Sequence, residues 1–416
     1  MSPISIAPTL PDGWNKIRFR YIASTSKGRL PAKGDDDVAD PDSLPYLSME
    51  YLRGDSDAST YVSSEGMVAA ADQDVLLLWD GSNAGEFLRA KYGAVSSTAA
   101  LVSPIQFDRK FLFWLCKTAE PVLKTFTNGM GIPHVDGEFL KDLVLPYPKE
   151  VETQERIASY LDRETARIDA LIAEKERMLA LLEEKRTALI SRVVTCGLDS
   201  DVPFKPSGQE WLNEIPAHWP TTKLSWDVFI SEGQVDPEDG RFSEMILIAP
   251  NHIESRTGQV MYMETSADQG AISGKYLCKK GDVLYSKIRP ALRKVALADE
   301  DCLCSADMYA LRPSERLLPQ YLQYFLLSED FSTWAELESA RVAMPKINRE
   351  TLSAIRIPVP PLQEQEHIVA EIRNGTERID LQRKAIRRSI DLLKERRAAL
   401  ITAAGTGKLP LEEMIG

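Results

Sequence analysis

Apolar residues recur at alternating spacings of three and four in two segments of this chain, the pattern of helices that pack on one another. The first series is Leu161, Thr165, Ile168, Ile172, Lys175, Leu179, Leu182, Arg186, Leu189 and Val193. The second series is Ile372, Thr376, Ile379, Arg383, Ile386, Ile390, Leu393, Arg397, Leu400 and Ala404. Seven of the ten positions are apolar in each series. We predict two long helices that form one antiparallel coiled coil, with the leucines and isoleucines of both series at the interface.

The two series belong to an internal duplication. Residues 154–198 align with residues 365–409 at an offset of 211 without a gap, and 17 of the 45 pairs are identical. Weaker matches continue upstream at offsets between 205 and 212, among them Trp14 against Trp219. An offset that drifts is expected where surface loops gain and lose residues around a shared scaffold. We interpret the paired tryptophans as core anchors, with base stacking as the alternative.

The duplication divides the chain into two globular domains and two helices. We predict a first domain over 1–150, a helix over 151–197, a second domain over 198–361, and a second helix with a C-terminal tail over 362–416. Prolines precede both helices and Gly197 follows the first, as is typical of helix boundaries. About 40 helical residues make a rod about 60 Å long, too long for either globular core. The predicted fold class is mixed α+β, with two α/β domains joined by the helix pair in a pseudo-twofold duplication.

Composition places the chain among soluble globular proteins. It has 416 residues, 44% hydrophobic and 27% charged, and no apolar stretch near the roughly 18 residues that span a membrane. The N-terminus lacks the features of a signal peptide and the five cysteines follow no disulfide spacing, so we expect a cytoplasmic protein without membrane contact. The net charge of −12 disfavours a nucleic-acid partner at first sight. A local basic face is nevertheless sufficient for DNA binding.

The segment entering each helix carries the most specific motif in the sequence. Residues 357–368 read IPVPPLQEQEHI, and residues 145–157 read LPYPKEVETQERI, a looser copy that is one residue longer. Together with the two-domain, two-helix plan, this motif resembles the specificity (S) subunits of type I restriction-modification systems. The resemblance covers essentially the whole chain.

The resemblance implies a subunit without a catalytic site that confers DNA sequence specificity on partner subunits. Each target-recognition domain would read one half of a split double-stranded DNA target. The implied partners are modification (M) subunits that methylate adenine, two of them in our expectation, and restriction (R) subunits that cleave DNA. S-adenosylmethionine, ATP and Mg²⁺ would belong to those partners, and no cofactor to this chain.

A search for catalytic and metal-binding motifs is consistent with this interpretation. No Asp-Pro-Pro-aromatic or Asn-Pro-Pro-aromatic tetrapeptide of an amino-methyltransferase occurs, and the glycine pairs at 129–131 and 405–407 lack the rest of a phosphate-binding loop. Cys302 and Cys304 are too close for a usual zinc-finger pair, and the four histidines are scattered. We predict neither a catalytic site nor a metal site.

Basic and hydroxyl-bearing residues in both domains are the candidates for DNA contact. In the first domain they are Lys27, Arg29, Lys33, Lys91, Ser97 and Thr98. In the second domain they are Lys279, Lys280, Lys287, Arg289, Arg293 and Lys294. The second set is denser and fits phosphate contacts together with an arginine that reads guanine. An exposed mixed-charge loop remains an equal alternative around Lys33, where three aspartates follow.

A different class of function also fits the duplication. A protein scaffold with two binding domains would need the same helices but no sequence-specific DNA contact. Sequence preference in DNA binding discriminates between the two hypotheses.

Overall fold

The computed structural model describes residues 4–7, 9–31, 42–54, 57–127, 132–340 and 345–414. The chain packs as two compact units, of which the first comprises Met1–Glu174 with Arg388–Gly416 and the second comprises Lys175–Arg387. Each unit therefore contains one globular domain and a part of both repeated segments. The mixed α and β fold with two long helices confirms the predicted fold class.

The first unit contains ten strands and the helices around them, counted within the described residues. The strands are β1 (Trp14–Arg18), β2 (Ala23–Lys27), β3 (Ser43–Leu47), β4 (Tyr61–Ser63), β5 (Ala69–Ala70), β6 (Val75–Leu78), β7 (Phe87–Arg89), β8 (Gly93–Val95), β9 (Ala99–Pro104) and β10 (Val144–Pro148). The helices are α1 (Met49–Arg53), α2 (Arg109–Thr125), α3 (Gly137–Asp142) and the long α4 (Val151–Cys196), which continues into the second unit.

A four-stranded antiparallel sheet in the order β2-β9-β6-β7 forms the centre of the first unit. All four residues of β6 are buried, as expected for a continuous aliphatic run in a central strand. Helix α2 packs against this sheet, and the Asp108 carboxylate caps its N-terminus by accepting from the Lys110 and Phe111 N–H groups. A smaller sheet, β4-β3-β8-β5, contains one parallel pair, β3 with β8.

The second unit repeats this plan with different loops. Its strands in the described residues are β11 (Phe204–Gln209), β12 (Leu212–Pro216), β13 (Thr221–Lys223), β14 (Val228–Ile230), β15 (Gln234–Val235), β16 (Leu247–Ile248), β17 (Lys275–Cys278), β18 (Val283–Ser286), β19 (Val295–Leu297), β20 (Cys302–Cys304), β21 (Met308–Pro313) and β22 (Arg356–Pro358). Its helices are α5 (Leu224–Asp227), α6 (Pro319–Leu327), α7 (Glu329–Ser339), α8 (Arg349–Ala354) and the long α9 (Leu362–Gly405), which ends in the first unit.

The central sheet of the second unit has the order β14-β21-β18-β19, which matches the first unit strand for strand. The buried strand β18 takes the place of β6, and α6 covers the sheet as α2 does in the first unit. In both units the strand that leads into the long helix pairs with a strand from the start of the domain. These pairs are β1 with β10 and β13 with β22. The duplication thus extends to the way in which each helix leaves its domain.

A glycine follows each long helix and lies next to one of the two corresponding tryptophans. Gly197 has φ +74° and its Cα faces the ring of Trp219, where a Cβ would lie 3.1 Å from the ring. Gly407 has φ +71°, and a Cβ there would lie 2.7 Å from Trp14. Glycine is required at both ends, because positive φ and the close ring each disfavour a side chain. Trp219 is fully buried, which confirms the interpretation of this residue as a core anchor.

The C-terminal tail joins the core of the first unit. Met414 is buried and packs in the same cluster as Phe111 and Leu145. The tail after the second helix thus packs with the domain at the other end of the chain. Within the described residues, no helix is both long enough and apolar enough to cross a membrane.

Candidate nucleic-acid interface and helix pair

The predicted seams face inward in both long helices. Five of the twelve predicted interface residues are buried, namely Leu161, Ile168, Ile372, Ile379 and Ile390. The remaining seven are partly buried, namely Ile172, Leu179, Leu182, Leu189, Ile386, Leu393 and Leu400. None of the twelve is exposed, so the spacing of three and four identified the packed face of each helix.

In the first unit, the start of α4 packs against the end of α9. Ile157 and Leu161 share a buried cluster with Ile401. Further along, the Arg397 guanidinium donates to both carboxylate oxygens of Asp169, at 2.8 and 3.1 Å. Residue numbers rise along one helix as they fall along the other, so the helices are antiparallel here.

In the second unit, the end of α4 packs against the start of α9 in the same antiparallel sense. A Cβ on Gly375 would lie 2.4 Å from the Leu189 side chain, so glycine allows a close approach of the helices. The Arg186 side chain, 3% exposed, donates to the Asp380 carboxylate at 2.7 Å. Arg383 donates to the same carboxylate at 3.2 Å. The arginines that interrupt the apolar seams therefore have carboxylate partners inside the helix pair.

The glutamine of the entry motif holds the turn between the last strand and the helix. The Gln365 amide donates to the Pro360 carbonyl at 2.7 Å and to the Arg316 carbonyl at 2.8 Å, and it accepts from the Leu318 N–H at 2.7 Å. Its counterpart Gln154 donates to the Pro148 carbonyl at 3.0 Å. Both side chains are buried. The looser first copy of the motif therefore keeps this contact across its extra residue.

The predicted DNA contacts of the first domain differ in how accessible they are. Lys27 forms an ion pair with Asp80 at 2.8 Å, and the exposed Arg29 donates to the Gly66 carbonyl at 2.9 Å. Lys33 lies outside the described residues. Ser97 and Thr98 lie in the tight turn between β8 and β9.

The structure corrects the prediction that Lys91 is a candidate for DNA contact. Its ammonium donates to the carbonyls of Tyr51 and Gly54, at 2.7 and 2.9 Å, and lies 4.4 Å from the centre of the Tyr51 ring. A half-buried ammonium with these partners stabilises the fold around α1, so the structure gives Lys91 an internal role that the sequence prediction did not include.

The basic cluster of the second domain also divides into internal and surface residues. The Arg293 side chain is 5% exposed and donates to the Glu329 carboxylate at 2.7 Å, and this hydrogen bond lowers the pKa of Glu329. The structure contradicts the prediction that Arg293 contacts DNA, because its side chain is buried and already paired with Glu329. Lys294 donates to the Pro250 carbonyl at 2.6 Å, and burial lowers its pKa.

The other members of this cluster stay at the surface. Lys279 pairs with Asp301 at 2.7 Å, and Lys280 is exposed beside it. The Lys287 ammonium lies 5.3 Å from the centre of the Tyr309 ring. Arg289 is exposed, and no side-chain partner of it occurs among the described residues.

A cleft of about 620 Å³ lies beside Arg289 in the second domain. Its lining combines basic, acidic and amide side chains with apolar ones, namely Pro250, Asn251, Ser286, Ile288, Arg289, Leu292, Lys294, Asp307 and Pro345. The sequence prediction included Arg289 and Lys294 but missed Asn251 and Asp307. No sequence signal marks these two, since each lies on a loop outside the basic cluster.

The described residues hold no group of three or more metal-ligating side chains. The thiols of the Cys302 region are part of the core: a hydrogen bond with Cys278 and burial raise the pKa of Cys302.

The fold and the site define a duplicated binding protein, with two mixed domains and helices that pair through antiparallel seams. Comparison with known proteins gives its family. The model of the type I restriction modification DNA specificity domain matches residues 11–179 and 254–391. The chain belongs to this family.

Relatives along the whole chain agree with the family match. The chain is 28% identical over 420 residues to the type I restriction enzyme EcoDI specificity subunit of Escherichia coli, covering 97% of this chain and 90% of that one. It is also 28% identical over 425 residues to the MjaVIII specificity subunit of Methanocaldococcus jannaschii, covering 97% and 95%. A solved chain from a study of assembly and conformational transition in the type I R-M system matches with a TM-score of 0.67 at 19% identity, covering 96% of this chain and all of that one.

Proposed function

We propose that each recognition domain of this specificity subunit reads one half of a bipartite double-stranded DNA target, and that the subunit positions two modification subunits and the restriction subunits on that DNA. The observation that carries the proposal is that contacts between residues, and not only single residues, are repeated in the two halves of the chain. Two domains with the same sheet order precede two helices whose seams and ion pairs correspond. The loops between the strands differ in length and sequence, which supports two different half-targets.

Two equal modification subunits require two equal docking surfaces. The helices provide the best-kept pair of surfaces, with 17 identities in 45 positions. Leu181 and Leu392, which correspond at the offset of 211, are 56% and 55% exposed. Large apolar side chains exposed on paired positions of a helix are typical of protein interfaces. We place the modification subunits at these surfaces.

In this proposal the chain carries no catalytic group and binds no cofactor. S-adenosylmethionine, ATP and Mg²⁺ act in the partner subunits. The purified chain, incubated with DNA and labelled S-adenosylmethionine, should transfer no methyl group, and with Mg²⁺ and ATP it should not cleave. Methyl transfer by the chain alone would contradict this part of the proposal.

Sequencing of methylated sites tests the function as a whole. Cells that express the chain with its modification subunit should carry methyl groups at one bipartite target with an unread spacer. Methylation without sequence preference would favour the alternative, a protein scaffold with two binding domains.

A further inference from the structure

We propose that Arg289 and Asp307 together read one G·C base pair in the half-target bound by the second domain. This inference rests on the proposed DNA-reading function and adds to it the base pair and the two residues that recognise it. Asp307 was not among the sequence-predicted contacts.

Opposite charges line one cleft here without neutralising each other. Arg289 and Asp307 both line the cleft of about 620 Å³, and both are exposed. Neither side chain forms an ion pair or a side-chain hydrogen bond with any described residue. Two neighbouring cations do have carboxylate partners, namely Lys279 with Asp301 and Arg293 with Glu329. The cleft therefore presents to solvent a guanidinium and a carboxylate that have no ion-pair or side-chain hydrogen-bond partner in the part of the chain that the structure describes.

The backbone at Arg289 is fixed before any ligand binds. Arg289 has φ 47° and ψ 61°, a left-handed conformation that a residue with a side chain adopts only where its surroundings impose it. Its N–H donates to the Pro345 carbonyl at 3.0 Å, and its own carbonyl accepts from the Leu292 N–H at 2.9 Å. The buried Arg293 ends the same short turn, also at positive φ. Such a turn fixes the backbone that carries the Arg289 side chain, so little backbone entropy is lost when this residue binds a ligand.

The other side of the cleft is also held in place. The Asp307 N–H donates to the Ser305 hydroxyl at 3.2 Å, and the Asp307 carbonyl accepts from the Lys287 N–H at 3.0 Å. This second contact joins the Asp307 loop directly to the segment that carries Arg289. The two side chains therefore approach a ligand from one connected piece of backbone.

The two groups match the major-groove edge of a G·C pair. Guanine presents two acceptors, O6 and N7, which a guanidinium binds with two N–H donors. Cytosine presents its N4 amino group as a donor, which a carboxylate accepts. In an A·T pair the adenine N7 acceptor lies beside the N6 donor, and thymine presents a single acceptor, O4. No base of that pair offers two adjacent acceptors, so Arg289 would lose its bidentate contact.

Methylation sequencing tests the inference, using the complete chain expressed with its modification subunit. We compare the unaltered chain with Arg289→Ala, Asp307→Ala and a control, Arg241→Ala. Arg241 is an exposed arginine that pairs with Asp239 and does not line the cleft. Both cleft variants should relax the same single G·C position in one half of the target and leave the other half unchanged. Discrimination at that position, measured by competition binding, should fall about 5- to 150-fold. Arg241→Ala should leave the target unchanged.

A modified base gives a second readout. Replacing the guanine at that position by 7-deazaguanine removes the N7 acceptor, so it should weaken binding by the unaltered chain but not by Arg289→Ala. Relaxation at an A·T position, relaxation of different positions by the two variants, or equal weakening on all sequences would overturn the inference while DNA reading stands. A complex of the unaltered chain without any sequence preference would overturn the proposed function and this inference together.

Discussion

Arg186 donates to Asp380 across the helix pair of the second unit. The residues that correspond to these two at the offset of 211, Arg397 and Asp169, form the matching contact in the first unit. Each helix supplies one arginine and one aspartate. The duplication has therefore kept interacting pairs as well as single residues. This is expected where two antiparallel copies must preserve both members of a contact to keep their register.

The two copies of this ion pair should differ in their contribution to stability. The Arg186 side chain is 3% exposed and that of Arg397 is 31% exposed. We expect Arg186→Ala to cost about 1.5–3 kcal/mol, the range of hydrogen bonds to charged groups. Arg397→Ala should cost about 0.2–1 kcal/mol, because solvent screens an accessible pair. Hydrogen exchange of the flanking helix amides measures both, and equal losses would show that burial does not set the difference.

The entry motif predicts a second difference between the copies. Gln365→Ala removes the partners of the Leu318 N–H and of two carbonyls, whereas Gln154→Ala removes one contact. An unsatisfied buried group costs about 1–3 kcal/mol. Gln365→Ala should therefore lower the urea midpoint more than Gln154→Ala does, with the matched variant serving as the control. A larger effect at Gln154 would mean that water replaces the lost partners at residue 365.

Stability should depend on pH through His252. Its side chain is 1% exposed, and desolvation lowers its pKa despite the Glu264 carboxylate 3.9 Å away. The folded protein thus binds a proton less readily than the unfolded chain, where the histidine pKa is about 6.5. A lowered folded-state pKa gives stability that is complete above about pH 6.5 and declines as the pH falls below it. The urea midpoint should fall from pH 7.5 to pH 5 and fall less in His252→Gln. An equal decline in both would assign the pH dependence to other groups.

The helices could be predicted from the sequence. Whether each basic side chain has an internal partner or is exposed could not. Heptad spacing depends on near neighbours in the chain, so it identified Leu161 and Ile372 as packed residues before any tertiary contact was known. The burial of Arg293 depends on Glu329, 36 residues away, and that of Lys91 on carbonyls in α1. A cluster of basic residues in the sequence does not distinguish a side chain that has an internal partner from one that is free to bind DNA. The same limit hid Asp307, because the cleft is formed by loops that are distant in sequence.

The docking of two modification subunits gives the last prediction. Leu181 and Leu392 correspond at the offset of 211 and are almost equally exposed. If each lies at the centre of one docking surface, a charge there would be buried without a partner on binding. Leu181→Glu and Leu392→Glu should each remove one modification subunit from the complex, and the double variant should remove both. Native mass spectrometry of the co-expressed complex measures the change as the mass of one or two subunits.

A matched control separates docking from a general effect of charge on the helices. Leu171 is 45% exposed, but its counterpart at the same offset is the polar Gln382, so it is not part of a duplicated apolar pair. Leu171→Glu should therefore leave the stoichiometry unchanged. If either single variant removed both subunits, or if Leu171→Glu acted like the other two, the duplicated leucines would not be two independent docking surfaces. The modification subunits would then have to bind elsewhere or bind cooperatively as a pair.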